Sequence, residues 1–208
     1  MRSRLPLYLD SLSLEEILFL ESELARCKEK FRAQCCVLAM DFQIDFADSE
    51  TVAAEAKLAV LSRLPKLFRR SVAASGGVLL ASHLGCALFL FGDVCGALRT
   101  VEHLLRGFAA LESKGNCRAG LHWRFGLATG EDCLAEESPR AVRSSVLVQR
   151  AVALAQRAAE GKILLDEETY RDWPPAEVSS PIPSREDICW EAMPEVLSED
   201  ERLLPVGE

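Results

Sequence analysis

Residues 78–91 form the longest nearly apolar run of the chain, and Ser82 and His83 interrupt it in the middle. Its 14 residues fall short of the roughly 20 needed to cross a bilayer as a helix, so no membrane span is expected. Preceded by Gly76-Gly77, the run predicts two short strands, 78–82 and 87–91, joined as a hairpin near residues 83–86. A buried hairpin commits the chain to a partly antiparallel sheet whose apolar faces other elements must cover.

The flanking segments supply those covers. Residues 35–40 are a short apolar run suited to a fully buried strand that ends at Asp41. Asp48 or Ser49 can cap a helix running to about Val72, with a break or kink expected at Pro65. Asp93 caps the next helix, in which Val94, Ala97, Leu98, Val101, Leu104 and Phe108 mark one buried face. Residues 118–129 predict another strand, 130–143 a loop, and 144–159 a helix with Gly161 at its C′ position. A short strand, 163–165, and a short helix, 167–172, follow. This order predicts an α/β (α+β) sandwich with helices packed on a mainly antiparallel sheet.

The ends differ from this body. In residues 1–34, Ser13 and Glu16 have capping-box spacing, and Leu14, Ile17, Leu18, Leu24 and Phe31 recur at helical intervals. That N-terminal helix either packs on the body or forms a dimerising stalk. Residues 35–173 are the expected domain. After Trp173 the chain holds six of its nine prolines and nine acids against two bases. We read 174–208 as a Pro-rich acidic tail with one edge strand at 188–190.

Composition narrows the function. With 49% apolar residues the chain can bury a core, and most of its net charge of −8 lies in the tail, leaving the body nearly neutral. Nucleic acid is not expected as a partner, since backbone binding needs a concentrated positive surface. Asp10, Glu15 and Glu16 interrupt any leader following Arg2 and Arg4, which predicts a cytoplasmic protein. The eight cysteines include no C-x-x-C pair and are expected as reduced thiols in apolar surroundings.

An ordered series of residues resembles the class III adenylate/guanylate cyclase catalytic domain. It comprises Val37-Leu38-Ala39-Met40-Asp41 with Phe46, Gly76-Gly77, Ala87-Leu88-Phe89-Leu90-Phe91-Gly92, Arg124-Phe125-Gly126-Leu127-Ala128-Thr129-Gly130, and Gly161-Lys162-Ile163-Leu164-Leu165-Asp166. The resemblance spans about residues 35–173 and implies the palm-type, ferredoxin-like sandwich of that family. It also implies a site at a dimer interface, where two aspartates hold two magnesium ions, a lysine reads the purine, and an asparagine and an arginine orient ribose and offset developing charge.

Carried over by position, Asp41 matches the first metal aspartate. Ala81 stands for the lysine, Gly85 for the second aspartate, Gln149 for the asparagine and Ala153 for the arginine. Asp45 replaces a glycine where the backbone approaches the phosphates. Asp41 is thus either a vestigial metal ligand or an ordinary strand-end aspartate. The resemblance implies a degenerate, catalytically inactive domain serving as a homodimer or as the partner of another signalling protein. No cofactor is expected, with magnesium or manganese entering only alongside residual nucleotide binding. Two alternatives stay open: a divergent nucleotidyl cyclase using Asp41 and Asp45, and a sensor whose cleft, lined by Ala81, Gly85 and Ala153, takes a ligand of lower charge than ATP.

Overall fold

The computed structural model describes residues 12–30, 32–46, 54–83, 85–114, 119–132, 145–173, 182–183 and 189–192. Among them the elements run α1 (Leu14–Lys30), β1 (Ala33–Phe46), α2 (Ala54–Ala74), β2 (Val78–His83), β3 (Cys86–Phe91), α3 (Val94–Lys114), β4 (Ala119–Asp132), α4 (Val146–Arg157), β5 (Ile163–Asp166), α5 (Glu167–Arg171), β6 (Ile182–Pro183) and β7 (Cys189–Ala192). They build a sheet of order β2-β3-β1-β4-β5-β7-β6, in which β4–β5 is the parallel pair and the other pairs are antiparallel.

Strand alternation sorts the core into two layers. On one face Cys36, Leu38, Met40 and Phe42 of β1 meet Ala87, Phe89 and Phe91 of β3, under α2 and α3. Helix α2 delivers Leu64, Phe68 and Val72 one turn apart, and the Phe68 ring sits edge-on between Phe42 and Phe89. On the other face Cys35, Val37 and Ala39 lie beneath Leu147, Val148, Ala151, Leu154 and Ala155 of α4. Because β1 is buried on both faces here, its sequence is a continuous apolar run rather than an alternating one. Gly126 lets α4 come this close: a Cβ there would overlap the Ala151 carbonyl oxygen and the Ala155 backbone nitrogen.

Several expectations are corrected. Strand β1 does not end at Asp41 but continues to Phe46, with Phe42 and Ile44 still packed in the α2–α3 layer. Helix α2 runs unbroken across exposed Pro65. Strand β4 extends through Gly130 to Asp132, because β1 offers it partners as far as Ala33. Helix α4 ends with Ala158 as C-cap, so Gly161, at φ +75°, is not its C′ residue; it turns the chain into β5 and donates its N–H to the Trp123 carbonyl. The strand expected at the tail's edge is β7, which lies inside the sheet between β5 and β6. The proposed caps Asp48 and Ser49 fall outside the described residues. No described helix is long and apolar enough to cross a membrane.

Candidate functional site

The face of β1 covered by α4 carries Val37 and Ala39, then Asp41, Gln43 and Asp45 beyond the helix end. Opposite them on β4 stand Arg124, in register with Asp41, and His122, in register with Gln43. These residues, with Phe42, Trp123 and Glu160, line a cavity of about 400 Å³. The cavity exists because α4 stops at Arg157 while β1 and β4 continue underneath it.

Its charges are paired. Arg124 Nε donates to Asp41 Oδ2 at 2.6 Å, and Arg124 Nη1 donates to the Gln156 carbonyl at 3.3 Å. The guanidinium thus joins Asp41 to the last turn of α4, where the helix dipole favours a cation. His122 lies between two carboxylates, with Nδ1 at 2.5 Å from Glu160 Oε1 and Nε2 at 3.3 Å from Asp45 Oδ2. Gln43 Nε2 donates to Asp45 Oδ1 at 2.8 Å. The side chains of Arg124, Asp41, His122 and Asp45 are all between 32% and 56% exposed, so each pair contributes only about 0–1 kcal/mol.

The hairpin brings the second metal position beside the first. Cys86 is in register with Asp41, and Phe42 donates its N–H to the Gly85 carbonyl at 2.9 Å. Gly85 adopts φ +86°, which favours glycine and leaves no carboxylate next to Asp41. Ala81 lies in β2 opposite Leu88, while Gln149 and Ala153 are exposed on α4. The Asp41 cavity includes none of Ala81, Gly85 or Ala153, so the less polar cleft expected at those residues is not this cavity. Burial, then Asp41, raises the pKa of the neighbouring Cys86 thiol, which keeps it protonated.

The other singled-out residues have structural employment. Asp93 Oδ1 accepts the Gly96 N–H at 2.7 Å, capping α3. Arg150 pairs with Asp166 and, at 2.9 Å, with Glu168, across the start of α5. His83 is exposed at the hairpin. Sequence reasoning missed His122 and Glu160, and it placed Arg124 in a motif without seeing Asp41 as its partner. The available signal was the period-two recurrence of Asp41, Gln43, Asp45 and of His122, Arg124, which marks the polar face of two continuing strands.

Comparison with known structures identifies the architecture. A rhodopsin-guanylyl cyclase catalytic core with converted specificity, in complex with ATPalphaS, superimposes with TM-score 0.57 at 13% identity, covering 79% of this chain and 97% of that one. An adenylate/guanylate cyclase/hydrolase from Silicibacter pomeroyi gives TM-score 0.53 at 16% identity over 79% and 98%. This is the class III nucleotidyl cyclase fold. An atypically dimeric guanylyl cyclase domain of the RhoGC fusion protein from Blastocladiella emersonii gives TM-score 0.54 at 14% identity over 77% and 94%. No family model matches the chain, and no curated protein matches it in sequence.

Proposed function

We propose that this cyclase-fold domain no longer turns over nucleotides and serves as a dimerising or partner-binding module in signalling. The observation carrying this reading is the Arg124–Asp41 ion pair at 2.6 Å, beside a Gly85 that offers no second carboxylate. A two-metal centre needs both carboxylates free to bind cations. Here one is engaged by a guanidinium and the other is missing, so these residues do not fit the metal pair, and we derive no step through it. Among the described residues no group of three or more His, Cys, Asp or Glu side chains is arranged to hold a metal ion.

The remaining losses point the same way. Removing one preorganised charge stabiliser costs about 100- to 1,000-fold in rate, and the lysine and arginine positions are Ala81 and Ala153. Three carboxylates, Asp41, Asp45 and Glu160, line the cavity against one arginine, Arg124, an environment that repels a triphosphate. The dimeric neighbour supports association as the retained property. The test is release of cyclic nucleotide and pyrophosphate from ATP and GTP with magnesium and with manganese. We expect no turnover above a heat-denatured control, whereas turnover abolished by Asp41→Ala would establish the divergent enzyme instead.

A second reading rests on the cavity itself. Alternating acids and bases around about 400 Å³ suit a small zwitterionic or cationic ligand better than a nucleotide. A thermal-shift screen of amino acids, amines and nucleotides distinguishes this sensor from pure scaffolding: a saturable shift lost in Arg124→Ala supports the sensor.

A further inference from the structure

Helices α2 and α3 carry a group of cations that lack a counter-charge. Elsewhere Arg26, Arg32, Arg124, Arg150 and Arg171 each face a carboxylate. On α2 and α3, exposed Arg63, Lys66, Arg70, Arg99 and Arg106 form no ion pair among the described residues, and Arg99 Nε donates only to its own helix, to the Cys95 carbonyl at 3.4 Å. Residues 57–77 contain no acid, and half-buried Glu102 is the one acid within 94–111. Charge of one sign concentrated this way creates a local field that attracts an anionic partner.

The cations border one groove. On α2, Arg63, Lys66 and Arg70 follow at intervals of three and four residues and so share a stripe. On α3, Arg99 and Arg106 lie two turns apart. The helices touch between the two rows: a Cβ at Gly107 would overlap the Leu67 side chain, and one at Gly96 would press on the Ser75 carbonyl. The pair is therefore antiparallel, and Arg106 stands level with Lys66 and Arg70 across the seam. Two cationic rims, each about 10 Å long, suit an extended acidic segment better than a single phosphate.

We propose that this groove holds the acidic segment Glu199-Asp200-Glu201 of the same chain. Charge and reach select it. Beyond β7, residues 193–208 hold five acids against one base. Ala192, Ile163, Phe125 and Met40 stand in one row across the sheet, so three inter-strand steps, about 14 Å, lead from β7 to β1. The helical layer and its outer surface add about 15 Å. Glu201 lies nine residues past Ala192, and nine extended residues span about 30 Å. Exposed ion pairs are individually weak, so a free peptide of this charge would be held poorly. A tethered segment meets the groove at an effective concentration in the millimolar range. The groove and the Asp41 cavity lie on opposite faces of the sheet, so the inference does not depend on whether that cavity turns over nucleotides.

Lys66 reports the contact directly, because it is the one amine among these five cations and a carbodiimide joins an amine only to a carboxylate touching it. The experiment is carbodiimide crosslinking of the full chain, mixed from isotope-labelled and unlabelled protein, with the linked peptides mapped by mass spectrometry. We expect an amide between Lys66 and Glu199, Asp200 or Glu201 within one copy. Its yield should fall about 10-fold or more in molar salt, where charges act only within about 3 Å. Arg70→Gln combined with Arg106→Gln leaves Lys66 in place and should lower the yield similarly; circular dichroism checks that the variant folds. A link formed only between a labelled and an unlabelled copy overturns the proposal, as does a link indifferent to salt and to the arginine pair. No link at all also overturns it, and binding of the wild type to phosphatidylserine vesicles through Lys66 would then assign the groove to a lipid surface.

Discussion

The two halves of β1 lie on one strand and face the same neighbour, β4, yet they have different physics. From Cys35 to Met40 every residue is buried, between α4 on one side and α2 with α3 on the other. From Asp41 to Asp45 the α2–α3 side stays apolar, with Phe42 and Ile44, while the opposite side carries Asp41, Gln43 and Asp45 in the cleft. The end of α4 separates them. Packing constrains the covered half closely, and at Gly126 of the paired strand a larger residue would push against the backbone of α4. The uncovered half carries half-exposed ion pairs such as Arg124–Asp41, which lie outside the packed layers.

Substitutions can break that contrast at graded cost. Phe125→Ala removes a fully buried ring from β4 where it pairs with Met40 of the covered half and should cost about 3–5 kcal/mol in chemical denaturation. Thiol labelling should separate the environments next. Burial, reinforced by Asp132, pushes Cys35 up to about 11, so its alkylation at neutral pH should run at least about 100-fold slower than that of exposed Cys27, because the thiolate is the reactive form. Gly126→Ala should lose about 1–3 kcal/mol by displacing α4. Arg124→Ala, on β4 opposite Asp41 of the uncovered half, should change stability by no more than about 1 kcal/mol. If Arg124→Ala proves as damaging as Phe125→Ala, the two halves do not differ as described.

How much of this was legible follows from which forces wrote it. The hairpin, the Asp93 cap and the stripe of α3 are local patterns, and they stand where the sequence put them. The β1 terminus was misplaced because a run of apolar residues signals burial on both faces, and burial on one face begins at Asp41 while the strand itself goes on. Gly161 was a reasonable helix stop by composition. Its actual role depends on a hydrogen bond to Trp123, 38 positions earlier, which no local pattern encodes. The same holds for the site: His122 and Glu160 are also 38 residues apart, and Arg124 and Asp41 are 83 apart. Their pairing is a product of register between β1 and β4, and it requires the fold before it can be seen. The position of β7 inside the sheet likewise depends on β6 closing over it.

The account predicts a cleft without enough free charge to hold a metal-bound polyphosphate. Calorimetric titration of the full chain with ATP and GTP, each in the presence of magnesium and then of manganese, tests this most directly. We expect no saturable heat with either nucleotide, in the wild type or in Arg124→Ala. Stoichiometric, metal-dependent binding that Asp41→Ala abolishes would contradict it.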